Sequence, residues 1–294
     1  MINDIYFFKI MNMDRVFPEG FHDKEYFNGP FESYHENGNL KEKYTFVNGE
    51  LNGSYEIYFE NGQLSYKSNY LDGKENGPVE HYFENGQLKS KGNIENSEFV
   101  GSYEIYYENG QLKEEGNYSE GPVKSYYENG QLEGLSNVKN GKLDGPNVTY
   151  HINGALKTKD NYINGKLDGV FETYYKNARL EQKGVYKKGK KHGAFEKYHK
   201  NGKLSIKAFY KEDKLEGLNE LFYKNGKIYI KDTFKEGHLD GPVERYYPNS
   251  KLEFKGNYKN GKKHGIFEYY HKNGKLTEKK FYEEDVCYKT EQVD

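Results

Sequence analysis

Polar and apolar side chains alternate along this chain in short runs, and the runs themselves recur every 24 residues. In Gly29-Pro30-Phe31-Glu32-Ser33-Tyr34 the aromatics Phe31 and Tyr34 fall on opposite parities. In Leu40-Lys41-Glu42-Lys43-Tyr44-Thr45-Phe46, Leu40, Tyr44 and Phe46 share one parity with Lys41, Lys43 and Thr45 on the other, the period of a strand with two distinct faces. Between them sits Asn37-Gly38. The same dipeptide, or a close variant, returns at Asn61-Gly62, Asn85-Gly86, Asn109-Gly110, Asn129-Gly130, Asn153-Gly154, Asn177-Ala178, Asn201-Gly202, Asn225-Gly226, Asn249-Ser250 and Asn273-Gly274. One step is 20 residues instead of 24, and the missing four fall in the linker around Ser119-Glu120-Gly121-Pro122. Asn-Gly between alternating runs signals a hairpin, with a two-residue type I′ turn because both residues tolerate positive φ. Eleven tandem hairpins are expected over residues 29–282. The fold class is therefore all-β, an elongated, twisted single-layer antiparallel sheet.

A turn centred on Asn37-Gly38 sets Glu32 opposite Lys43. The same register gives Glu56/Lys67, Glu80/Lys91, Glu172/Lys183, Glu196/Lys207, Glu220/Lys231, Glu244/Lys255 and Glu268/Lys279, opposite charges across the ladder. Glu104/Glu115, Lys124/Leu135 and Val148/Lys159 break the pattern. By alternation, one face holds Phe31 and its equivalents, the residue before the turn, the aliphatic series from Leu40 to Leu276, and the series from Phe46 to Tyr282. The other holds the Glu–Lys pairs and one aromatic per unit: Tyr34, Tyr58, Tyr82, Tyr106, Tyr126, Tyr150, Tyr174, Tyr198, Phe222, Tyr246 and Tyr270.

Composition alone leans toward disorder, with 34% hydrophobic residues and a mean hydropathy of −1.11. Aromatics at 17% in a fixed register argue against it. Cys287 is the single cysteine, which excludes an intramolecular disulfide and a thiolate metal site. Near the N-terminus an acid precedes the short apolar run and Lys9 interrupts it, so no secretory signal is expected and the cytoplasm is the expected location. No apolar stretch is long enough to span a bilayer as a helix. Residues 1–28 match the repeat loosely and are expected to cap the first edge; 283–294 are expected to form a polar tail.

The stretches Gly184-Val185-Tyr186-Lys187-Lys188-Gly189-Lys190-Lys191-His192-Gly193 and Gly256-Asn257-Tyr258-Lys259-Asn260-Gly261-Lys262-Lys263-His264-Gly265 closely resemble the core of the MORN (membrane occupation and recognition nexus) repeat. The intervening Tyr-Tyr-Glu-Asn-Gly-Gln-Leu-Lys segments are similar to its bacterial variant. The resemblance covers about residues 29 to 282. It implies consecutive hairpins, no catalysis, and either an antitoxin-type protein partner or a scaffold associated with phospholipid.

Charge separates the two halves. Residues 1–150 carry 13 Lys+Arg against 25 Asp+Glu, and residues 151–294 carry 31 against 21. Much of the change lies at the hairpin turns, where Glu36, Glu60, Glu84, Glu108 and Glu128 give way to Lys176, Lys200, Lys224 and Lys272. After the turn, Gln63 and its equivalents give way to Arg179, Lys203, Lys227, Lys251 and Lys275. The candidate partner-binding residues are therefore Tyr58, Tyr82, Tyr106, Tyr126, Tyr174, Tyr198, Phe222 and Tyr246 on the open face. At the turns they are Lys176, Arg179, Lys200, Lys203, Lys224, Lys227, Lys272 and Lys275. Tyrosine offers rigid amphipathic contact area, and a charged edge steers an approaching partner. His35, His151, His199 and His271 occupy the aromatic slot before the turn, so repetition explains them and no metal or cofactor is expected. No nucleophile elbow, P-loop or HExxH pattern occurs. Basic turns beside stacking rings would suit single-stranded nucleic acid, but the acidic half opposes it. The expectation is a non-catalytic scaffold that holds a protein, with anionic lipid as the alternative and head-to-tail self-association as a further option.

Overall fold

The computed structural model of the chain describes residues 28–293, so the expected cap over 1–28 lies almost wholly outside the described residues. They form two compact units divided after Phe99. The first contains three hairpins, Gly29–Tyr34 with Leu40–Val47, Gly53–Tyr58 with Leu64–Leu71, and Gly77–Tyr82 with Leu88–Glu95. The second contains eight more, from Leu112–Asn117 and its partner strand to Gly265–Tyr270 with Leu276–Glu283. Within each unit the strands pair antiparallel to their sequence neighbours, and no helix is found among the described residues. Residues 286–292, expected as part of a polar tail, form a strand paired to Leu276–Glu283.

The Asn37-Gly38 turn differs from expectation. His35 N–H donates to Asn39 O at 2.8 Å and Gly38 N–H to His35 O at 2.9 Å, closing a three-residue loop, Glu36-Asn37-Gly38. Only Gly38 enters the left-handed region, at φ 86°. Gly62, Gly86, Gly110, Gly130 and the later equivalents do the same, and Ala178 (62°) and Ser250 (70°) are forced into it. Asparagine serves otherwise. Asn37 Oδ1 accepts the Asn39 N–H at 3.0 Å while Nδ2 donates to the Glu60 carbonyl of the next hairpin at 2.7 Å. Asn61, Asn153, Asn201 and Asn249 make the same link to the following turn.

The two-residue turn with positive φ at both positions lies at the other junction, between hairpins. Asn48 (52°) and Gly49 (74°) form it first, and Val47 pairs with Glu50 across it. Where glycine is missing, side chains take the same conformation: Asn96 and Ser97, Glu212 and Asp213, Glu284 and Asp285.

Shortening the pairing at the turn should have moved every partner by one residue. A bulge at Lys41 restores it: Tyr34 pairs with Leu40, Ser33 with Glu42, and Glu32 with Lys43. All eight expected Glu/Lys pairs are therefore present. The bulge also corrects the face assignment. Leu40 lies opposite Tyr34, so the aliphatic series shares the tyrosine face instead of the face of Phe31.

The packed face is built from aromatics one hairpin apart. Val79, Phe171, Phe195, Val243 and Phe267 are buried at the slot of Phe31. Phe267, fully buried, meets Tyr282 edge-on at 5.2 Å and Tyr258 at 5.6 Å, with Val243 completing the cluster. Glycine across the ladder makes room: a Cβ on Gly184 would come within 2.7 Å of Phe171, and one on Gly256 within 2.4 Å of the Phe267 ring. Where asparagine replaces the aromatic, aspartate replaces the glycine. Asn147 Nδ2 donates to Asp160 and Asn219 Nδ2 to Asp232, each at 2.7 Å. Burial raises the pKa of both acids, and the paired carboxamide opposes the rise.

Candidate binding face

The outward face is a ladder of charge roofed by tyrosines. Where the pattern holds, the lysine of a hairpin lies between two glutamates, its own and the next hairpin's: Lys43 pairs with Glu32 and Glu56, and Lys183 with Glu172 and Glu196. In the second unit the alternation runs unbroken from Lys159 to Glu291. Glu268 is held by Lys255 at 2.9 Å and Lys279 at 3.3 Å. These pairs remain partly exposed to solvent and contribute little stability each, but they neutralise the face locally.

Two residues beyond each glutamate, a tyrosine leans back over it. The hydroxyl donates to the carboxylate at Tyr34/Glu32, Tyr58/Glu56, Tyr82/Glu80, Tyr106/Glu104, Tyr174/Glu172, Tyr198/Glu196, Tyr246/Glu244 and Tyr270/Glu268. Tyr126, with Lys124 at the glutamate position, donates across the ladder to Glu115. Partial burial first, and the glutamate next, pushes Tyr58, Tyr82, Tyr174 and Tyr246 up to about 12. The Tyr270 hydroxyl and the lysines hold Glu268 down to about 2. Phe222 keeps its place in the row without a hydroxyl to offer.

The candidate turn residues Lys176, Lys200, Lys224, Lys272, Arg179, Lys203, Lys227 and Lys275 are all exposed and lie two to five residues past the tyrosines. Two of them are tied down: Arg179 Nη1 donates to Lys200 O at 3.1 Å and Lys203 Nζ to Asn225 O at 2.7 Å. Sequence reading missed a second basic row on the opposite margin. Across the two-residue turns, lysine faces lysine at 139/142, 187/190, 211/214 and 259/262. The Lys-x-x-Lys spacing around each linker turn carried that signal.

Sequence reading also missed an apolar stripe. On this face Val170 pairs with Val185, Ala194 with Phe209, and Ile266 with Phe281, while Leu218 lies opposite Thr233. Val170 is 62%, Leu218 53%, Ile266 48% and Phe209 46% exposed. In the first unit the equivalent pairs are Pro30/Thr45, Ser54/Asn69 and Pro78/Asn93.

The histidines before the turns are structural. His35, His151 and His199 each donate from Nε2 to the main-chain carbonyl of the next hairpin's Tyr58, Tyr174 and Phe222. Tyr107, Tyr127, Tyr175, Tyr223 and Tyr247 reach the equivalent carbonyl with their hydroxyls. Among the described residues no cluster of His, Cys, Asp or Glu could hold a metal ion. No helix among them is long and apolar enough to cross a membrane.

A family model described as "MORN repeat variant" matches residues 27–48, 51–72, 75–96, 99–120, 119–140, 191–212, 215–236, 239–260 and 263–284. No curated protein matches the chain. Among solved structures, a TcdB2–TccC3 crystal structure is 11% identical, covers 86% of this chain and 18% of its own, and gives a TM-score of 0.20. The Photorhabdus luminescens Tc holotoxin pore is 12% identical, with 84% of this chain and 17% of its own covered, at a TM-score of 0.20. The chain thus spans less than a fifth of those structures, and likeness at that level carries no argument about this one.

Proposed function

The chain belongs to the MORN repeat variant family, a family of non-catalytic repeat scaffolds, and we propose that it acts in the cytoplasm by holding another protein against its tyrosine-bearing face. One observation carries this reading. The aromatics of one face pack on each other, while the opposite face leaves a regular row of tyrosines, flanked by exposed apolar side chains and basic turns, without any layer over it among the described residues. Such a face supplies rigid aromatic anchors and a charged rim, the ingredients of a binding surface. A toxin held by steric occlusion is the partner class that the family resemblance suggests. The test is affinity of a captured partner for the chain carrying Tyr174→Ser, Tyr198→Ser and Tyr246→Ser. Binding weakened at least about tenfold supports the reading; undiminished binding removes it.

A second reading has an observation of its own. The apolar stripe Val170, Phe209, Leu218 and Ile266 lies beside the facing lysine pairs, an arrangement that suits an anionic lipid surface. Co-sedimentation with anionic vesicles that is lost at high salt and lost in Phe209→Ser favours it; no co-sedimentation at low salt excludes it.

A further inference from the structure

The charge ladder of the second unit has one apolar break. Along four successive strands the rungs read Lys124, Leu135, Val148 and Lys159, each paired with the next. Leu135 is 39% exposed. With Val148 at the glutamate position, Tyr150 has no carboxylate two residues before it. It is the tyrosine of the row whose hydroxyl finds no acceptor among the described residues. Lys124 is occupied by Glu115 at 2.9 Å, whereas Lys159 lies across from Glu172 and makes no ion pair. At the other tyrosines of the row in the second unit an incoming group must displace a hydroxyl–carboxylate hydrogen bond that is already made. Here two apolar side chains, a free hydroxyl and an unpaired cation are presented together.

We infer that Leu135, Val148, Tyr150 and Lys159 form the anchor point of the partner: they take a protein segment that offers a large apolar side chain next to a carboxylate. The apolar side chain covers Leu135 and Val148, and the carboxylate accepts from both Tyr150 Oη and Lys159 Nζ. Charge selects this occupant, because the free groups are one cation and one donor, and a basic or purely apolar segment leaves both unmatched. The inference rests on the tyrosine face being the binding surface and places its centre.

Leu135→Lys combined with Val148→Glu rebuilds the lysine–glutamate alternation up to Lys159 while setting the new lysine opposite Lys124, itself held by Glu115, so it should fold with a nearly unchanged Tm. Random peptides displayed on phage are selected against the unaltered chain, and enriched peptides are titrated against this double variant, Lys159→Gln, and the Tyr174→Ser/Tyr198→Ser/Tyr246→Ser variant. Enrichment of a large apolar residue beside Asp or Glu, with binding at least about tenfold weaker in the double variant and in Lys159→Gln, is the expected result. Peptides that bind the double variant undiminished but lose affinity to the tyrosine variant overturn the anchor and leave the face standing. Peptides indifferent to all three variants, or no enrichment at all, overturn the anchor as well, and indifference also counts against the face.

Discussion

His151 Nε2 lies 2.8 Å from the main-chain carbonyl oxygen of Tyr174, on the next hairpin. At the neighbouring hairpin Tyr175 Oη occupies the same place, 2.7 Å from the Tyr198 carbonyl. Histidine and tyrosine exchange freely at this slot because each carries a ring donor at the same reach. The carbonyl would otherwise lose its partner where the strands part beside the bulge. His151→Phe should therefore destabilise the protein by about 1–2 kcal/mol, while His151→Tyr should be nearly neutral. Urea titration measures both; equal losses would show that ring volume, not the donor, matters.

Backbone conformation gives a prediction of opposite sign. Ala178 is held at φ 62° in a loop where ten other hairpins place glycine or, once, serine. Ala178→Gly should stabilise by about 0.5–1 kcal/mol. Gly154→Ala, at φ 78° and with nothing within 4 Å of a new Cβ, should lose about as much for conformational reasons alone. Thermal midpoints moving in the same direction would contradict the turn geometry.

Packing across the glycine rows is tighter. A methyl group on Gly256 would overlap the Phe267 ring, which is fully buried among Val243, Tyr258 and Tyr282. Gly256→Ala should cost about 1–3 kcal/mol. Adding Phe267→Val, the residue type found at Val243, should recover part of that loss. Additive destabilisation in the double variant would argue against the contact.

Stability should hold a plateau from about 6.5 to 10 and fall on both sides, from shifts with identifiable owners. Glu268 titrates near 2 in the fold against a usual 4.5, so its contribution is complete above 4.5 and drains as pH falls toward 2. Buried His81, held to about 4 against 6.5 mainly by burial, acts in the same direction: full above 6.5, lost on acidification. Tyr58, Tyr82, Tyr174 and Tyr246 are raised to about 12 from 10, so their contribution is complete below 10 and disappears as pH climbs toward 12. Thermal midpoints across pH measure this. Glu268→Gln should flatten the acid limb below 4.5, and an unchanged limb would refute the assignment.

The hairpin period, the Glu/Lys register and the tyrosine row were all legible in the sequence, because side-chain alternation and a fixed step determine them. The turn was not. Asn-Gly fits either a two-residue turn or a three-residue loop with glycine in the left-handed region, and the expected Glu32/Lys43 pair does not separate the two, since the bulge at Lys41 cancels the shift. The same cancellation hid the true face of Leu40. The apolar break at Leu135 and Val148 was visible as an exception to the charge pattern. Its meaning came only when Tyr150 was seen without an acceptor and Lys159 without an ion pair.

Hydroxyl-radical footprinting of the chain with a captured protein partner tests the binding face most directly. Tyr150, Tyr174, Tyr198 and Tyr246 should lose reactivity on binding, while Tyr269, packed against the Phe267 cluster, and Tyr229, whose ring lies against Arg245 two residues past Val243 of the packed face, keep theirs. Protection confined to Tyr229 and Tyr269, with the outward row as reactive as in the free chain, would contradict the account.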